Sequence, residues 1–292
     1  MLQFKDFPIF VNMNYFSDEE RAAALQARKK KFYSSAGAAA YMKELEDARR
    51  KYGQAVDYKQ YEFEAQVDNI DRRLDEIRTD GMSNGNWERE VIKHLTTIAS
   101  TRIGNLLIRC LRKTVKVWIV FDDGSDPGAA STTPGVLSDE AGGGVRLHFD
   151  PFGFNDSGFS YTPGDVLFHE LVHAYRSGWK GIDGSNWRKL EQYKSAEEFL
   201  AIHLQNVYLH YIGAPSFYLS HSVATLSTVG EVYSNIARLR ETLEVLNYYL
   251  YHEPFVREIA KWTEPKCNIW RDYQRILGRS SFRAALPSYP VP

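Results

Sequence analysis

Cysteine is nearly missing from this chain: Cys110 and Cys267 are the only two in 292 residues. Neither has a partner at CxxC spacing, so no thiolate zinc site and no disulfide framework follow from them. Two free core thiols are expected, with a single bridge as the other reading. Excess charge is missing too. Lys and Arg number 36 against 37 Asp and Glu, a formal net charge of -1. That gives no global electrostatic case for binding nucleic acid or an anionic membrane. No stretch approaches about 18 consecutive apolar residues, so no membrane-spanning helix is expected. Met1 to Phe16 lack a basic start, a long apolar run and a small-residue cleavage site. The expectation is a soluble protein that stays in the cytosol or leaves by a route without a cleaved signal peptide.

What is present suffices for a full core. The chain is 43% hydrophobic and 25% charged, enough for one large domain or two small ones. Within it stands His169-Glu170-Leu171-Val172-His173, the HExxH pattern of zinc-dependent hydrolases. Histidines four apart lie one above the other on a helix face, so both imidazoles can grip one ion from one side. Glu170 is then placed to take a proton from a water activated at that ion. The local sequence favours a helix here. Thr162 is a candidate N-cap, Pro163 suits the first helical position, and Val166, Leu167, Leu171, Val172 and Ala174 make the flanks apolar. Two histidines and a glutamate in so apolar a helix need partners, and a metal would supply them.

Upstream, residues 17 to 80 are rich in Ala, Glu, Lys, Arg and Gln and read as helix. Phe63, Val67, Ile70, Leu74 and Ile77 form a sparse apolar stripe. Lys29-Lys30-Lys31 reads as a solvated face, with docking or targeting as the alternative. Residues 80 to 86 form a polar, turn-forming boundary. The expected organisation is a helical extension over 1–85 and a catalytic domain over 86–292. Trp87 to Arg112 is helical, with a break or kink at Thr101–Gly104. Residues 115–121 and 145–150 alternate as strands, and 122–144 reads as a long loop. A strand beside the metal helix commonly pairs with an extended substrate, and His148 is a candidate contact there.

A catalytic zinc site takes three protein ligands and a water. The metzincin continuation would need His at position 179, which is Trp179. Asp183, in a turn ten residues past the motif, is a runner-up, and Glu191 ranks low. The favoured source is the helix opening at Ser195-Ala196-Glu197-Glu198, with Ser195 as N-cap. Glu198 is preferred as third ligand because the small Ala201 follows on the same face. Glu197 is the alternative, and otherwise an orienter of His169 or His173. The two acids could instead merely favour the helix dipole.

HELVHAYR over 169–176, with Glu197-Glu198 about twenty-five residues later, resembles the NleD-type zinc metallopeptidase effectors of bacterial pathogens. Ile98 to Leu107, followed by the strand at 115–121, is similar to the segment before the catalytic helix in that family. The double glutamate is similar to that of clostridial neurotoxin light chains. The resemblance spans roughly residues 87–212. It implies an α+β, mainly α fold: a zincin-like (gluzincin-type) metallopeptidase domain with a small β-sheet. It implies a zinc endopeptidase with His169, His173 and Glu198 or Glu197 as Zn2+ ligands and Glu170 as general base. It implies an effector or toxin, secreted or translocated without a cleaved signal, that cuts a specific protein of a target cell. The clostridial proteins use an Arg-x-x-Tyr pair far downstream at the oxyanion. No such spacing follows the metal helix here, and Tyr233, Tyr248, Tyr249, Tyr251 and Tyr273 are the loose candidates.

The remaining C-terminal residues read as helix, with Tyr233, Ile236, Leu239, Leu243, Leu246 and Leu250 at helical spacing. Two other readings stay open. One is a non-catalytic zinc protein with a closed four-ligand site, to which His148 or His203 would contribute. The other is an interaction protein acting through its N-terminal helices.

Overall fold

Alternation at Val117, Ile119 and Phe121, and again at Val145, Leu147 and Phe149, predicts two strands. In the computed structural model they are neighbours in one sheet. The structure describes residues 2–12, 84–121, 130–135, 144–151, 162–177, 189–190, 192–219 and 225–280, with isolated positions between 22 and 43. The main sheet contains β1 (Leu2–Gln3), β2 (Ile9–Asn12), β3 (Val117–Phe121), β4 (Ala130–Gly135) and β5 (Gly144–Phe149). Their spatial order is β1-β2-β3-β5-β4. The middle three run parallel, and β1 and β4 are antiparallel at the edges. Ile9, Val117 and Val145 share one row, and Val11, Ile119 and Leu147 the next. All six are buried in the core.

The sheet changes two expectations. Residues 2–12 open the segment read as a helical extension, yet they form strands. Ile9 and Val11 extend the apolar rows of β3, and that burial decides their structure. The helical readings of 17–80, including the 63–77 stripe and the lysine run, lie outside the described residues apart from isolated positions. The second change is in the loop read over 122–144, which contains β4. Its Ala-Ser-Thr-Thr-Pro-Gly sequence lacks apolar alternation and is held by backbone pairing to β5. As an edge strand it tolerates Pro134.

The helices are α1 (Asn84–Ser100), α2 (Arg102–Thr114), α3 (Pro163–Ser177), α4 (Ala196–Tyr211), α5 (Val229–Arg238), α6 (Arg240–His252), α7 (Pro254–Ala260) and α8 (Tyr273–Leu277). A short ribbon of β6 (Phe217–Tyr218) and β7 (Thr225–Leu226) lies between α4 and α5. The described fold is therefore α+β and mainly α. No described helix is long and apolar enough to cross a membrane. Cys110 and Cys267 are not joined in a disulfide.

The expected break before Gly104 separates α1 from α2. Thr101 is extended, and its hydroxyl accepts from the Gly104 N–H as an N-cap. Gly104 is needed there for proximity, since a Cβ would sit 2.0 Å from the Ile98 carbonyl oxygen and 2.6 Å from its carbon. Backbone cannot swing aside as a side chain can. Gly104→Ala should therefore lose about 2 kcal/mol or more of stability, read as a lower urea midpoint at unchanged m-value. A wild-type midpoint would show that α1 can slide over α2.

The C-terminal run also breaks, at Leu239, whose backbone is extended between α5 and α6. The Thr242 hydroxyl bonds back across the break to the carbonyls of Ile236 and Leu239, and the Leu239 carbonyl also accepts from the Leu243 N–H at the start of α6. Tyr233, Ile236, Leu243 and Leu246 still reach the core.

Helix α3 is the hub. It packs against α4, β4, β5, α1 and α2, and eleven of its fifteen residues are buried. The Trp87 indole on α1 donates to the Phe149 carbonyl on β5, fixing one wall of this nest. Phe168 on α3 stacks on Tyr208 of α4 with ring centroids 4.6 Å apart.

Candidate metal centre

The start of α3 is the expected cap. The Thr162 hydroxyl accepts from the Asp165 N–H, and the Asp165 carboxylate accepts from the Thr162 N–H at 2.7 Å. This reciprocal box fixes the first turn. One turn on comes His169, and a further turn on, His173. Their rings meet edge to face with centroids 4.8 Å apart.

Helix α4 supplies the third group. The Ser195 hydroxyl accepts from the Glu198 N–H, so Glu198 is the third residue of the helix. In a capping box its carboxylate would fold back to the Ser195 N–H. That N–H instead donates to the Tyr193 carbonyl, and the carboxylate turns to the histidines. Glu198 Oε2 lies 3.2 Å from His169 Nε2 and 3.4 Å from His173 Nε2. The two Nε2 atoms are 3.1 Å apart.

This triangle suits one small ion. A tetrahedral zinc with bonds of about 2.0–2.1 Å separates its ligand atoms by about 3.3 Å. Two imidazoles and a carboxylate are also the donor types zinc takes. A Glu170 carboxylate oxygen and the histidine nitrogens all lie within 4.8 Å of one another, so Glu170 stands beside the triangle. His169 is the deepest of the three at 6% side-chain exposure, while His173 and Glu198 are at 18% and 22%. The group therefore opens toward solvent on one side.

The protonation states reflect the crowding. Burial pushes His169 below the ordinary imidazole range, and the Glu198 hydrogen bond only partly opposes it. Burial also works against charge on His173, but the hydrogen bond and charge of Glu198, with Glu170, raise it to about 9.

The groups behind the ligands were not all foreseen. Glu197, read as the alternative ligand or an orienter of the histidines, faces away from them. It takes a forked pair of bonds from Arg176, with Nη2 at 3.0 Å and Nε at 3.1 Å, and a third from the Tyr249 hydroxyl. Arg176 also pairs with Glu253, which in turn accepts from the Tyr175 hydroxyl at 2.7 Å. Burial alone would lower the Arg176 pKa, and its bonds to Glu197 raise it instead. The residue behind His169 is Gln205, whose Oε1 is 3.1 Å from Nδ1. Gln205 Nε2 donates to the Asp165 carbonyl. Next to it, the Asn206 side chain clasps both the N–H and the carbonyl of Tyr218. The Tyr218 hydroxyl donates to the Asp165 carboxylate. Burial pushes that carboxyl up to about 6 against these hydrogen bonds. A Gln-Asn pair inside the run 199–209, which is otherwise apolar or aromatic except for His203, was the available signal.

The other candidates lie elsewhere. His203 Nε2 is 3.2 Å from the Tyr193 hydroxyl, and burial lowers its pKa to about 3. His148 sits on the face of β5 opposite Leu147 and Phe149. Neither closes the ligand triangle. Asp183 and Glu191 lie outside the described residues. Among the tyrosines, Tyr233 and Tyr249 donate to Asp272 and Glu197. Tyr248 and Tyr251 pack on His252, and Tyr273 is buried. None of these contacts reaches the triangle. The sheet edge beside α3 is β4, since β5 is paired on both sides. Comparison of the chain with models of protein families, with curated proteins and with solved structures finds no match.

Proposed function

We propose that this chain is a zinc-dependent endopeptidase with a zincin-like catalytic domain. One observation carries the reading: three ligand atoms with edges of 3.1 to 3.4 Å, and a separate carboxylate beside them. His169, His173 and Glu198 would hold the ion. When bound, zinc supplies Lewis acidity, lowering the pKa of a water and polarising a carbonyl oxygen. Glu170 takes the proton of the attacking water and passes it to the leaving amide nitrogen. Among the described residues the outer edge of β4 is unpaired, and such an edge offers backbone groups to an extended polypeptide, which fits a protein substrate. The NleD-type resemblance adds the context of a bacterial effector or toxin, delivered to a target cell, that cuts a specific protein there.

Elemental analysis of purified protein tests the site. About one zinc per chain is expected in wild type and Glu170→Ala. His173→Ala and Glu198→Ala should lose it. Glu197→Ala should keep the ligand atoms, though its loss strips Arg176 of a partner. Wild type that neither contains zinc nor takes it up would end the peptidase reading and promote the N-terminal segment as the working part.

A further inference from the structure

We infer that Gln205 is the positioning residue of this centre: it holds the His169 ring with its proton on Nδ1, so that the Nε2 lone pair faces the ligand triangle. The inference rests on the metal reading for its purpose, but its geometry stands by itself.

The argument is one of donors and acceptors. The Asp165 backbone carbonyl can only accept, and it lies 3.1 Å from one end of the Gln205 amide. That end must therefore be the NH2 group. The other end is then the carbonyl oxygen, which also only accepts, and it lies 3.1 Å from His169 Nδ1. A nitrogen facing an acceptor must carry the hydrogen. In a neutral imidazole the remaining nitrogen, Nε2, is then the acceptor. Nε2 is the atom 3.1 Å from His173 Nε2 and 3.2 Å from Glu198 Oε2. A single backbone carbonyl in the first turn of α3 thus dictates, through one amide, which nitrogen meets the ion.

The surroundings keep this chain in place. Gln205 is 2% exposed, so no water competes for its amide. It stands seven residues after Glu198 on α4, two turns along the same face. One helix therefore supplies both the third ligand and the group that orients the first. Metal-bound histidines often lean on a carboxylate. An amide gives the same direction without adding charge where Glu170, Glu197 and Glu198 already lie close.

The test uses the full chain with 15N-labelled histidine. In metal-free wild type at mildly alkaline pH, the His169 ring should show the Nδ1–H tautomer. Gln205→Met fills the same space without an acceptor. It should shift the ring toward Nε2–H and weaken zinc binding on the order of 10- to 100-fold in a chelator competition. Gln205→Glu keeps an oxygen opposite Nδ1, so it should retain the Nδ1–H ring where Gln205→Met proves too unstable to study, although it has no N–H for the Asp165 carbonyl and adds a charge beside the other glutamates. An Nε2–H ring in wild type, or wild-type zinc affinity in folded Gln205→Met, would overturn the inference. A ring that follows the prediction in a protein that binds no zinc would uphold the role of Gln205 and remove the metal reading instead.

Discussion

Glu170→Gln should keep its zinc and lose its cleavage. The amide has the size of the carboxylate it replaces and no basicity, so the variant removes the proton acceptor while leaving the three ligand atoms in place. General bases of this kind contribute on the order of 100- to 10,000-fold, and the cleavage rate should fall by that range. The readout is the appearance of new N-termini in a lysate from candidate target cells, with zinc content and melting temperature as controls. Loss of cleavage together with loss of zinc would make Glu170 a ligand, since its carboxylate lies within 4.8 Å of both histidine nitrogens. Undiminished cleavage would show that the proton goes elsewhere. Zinc-loaded wild type that cuts nothing in any lysate would turn the reading toward a non-catalytic zinc protein.

The contrast between Glu198 and Gln205 shows how far the sequence could be read. That Glu198 turns to the two histidines was legible because two local signals coincide, an N-cap serine and a small residue three positions on. Both act within one helical turn. Gln205 was not legible, because its meaning depends on the Asp165 carbonyl forty residues earlier. In sequence, a glutamine among Leu204, Asn206 and Val207 shows only that some partner must exist. Strands β3 and β5 and the helices around the HExxH motif followed from apolar period, which the chain carries within each element, whereas β2 owes its pairing to the rows of β3. Strand β4 did not, since Thr132, Thr133 and Pro134 have no apolar alternation and owe their conformation to the neighbouring β5 backbone. The break at Leu239 was hidden for a related reason. Leucines continue at helical spacing across it, and only the Thr242 hydroxyl, bonded back to two carbonyls, marks the interruption.

Arg176 carries the largest expected effect on stability, and it too acts at long range. It lies at 3% exposure between Glu197 and Glu253, which lie 21 positions after it and 77 positions after it. Arg176→Met would leave two buried carboxylates with no cation between them. Removing one partner from a buried ion pair costs about 3–5 kcal/mol, because the stranded charge keeps its desolvation penalty. In a chain of this size that is a fall in Tm on the order of 10 °C. Arg176→Lys keeps the charge but not the fork that grips both oxygens of Glu197, so it should fall between the two. The same pair also links the helices of the centre. Arg176 is three residues past His173 on α3, and Glu197 precedes Glu198 on α4. Their bond ties the two helices together one residue before Glu198, and so bears on where that carboxylate stands. Arg176→Lys should therefore bind zinc more weakly than wild type even at temperatures where both are fully folded. If Arg176→Met melts with wild type, the network is dispensable to the fold. If Arg176→Lys binds zinc with wild-type affinity, Ser195 and the packing of α4 place Glu198 without help from the buried pair.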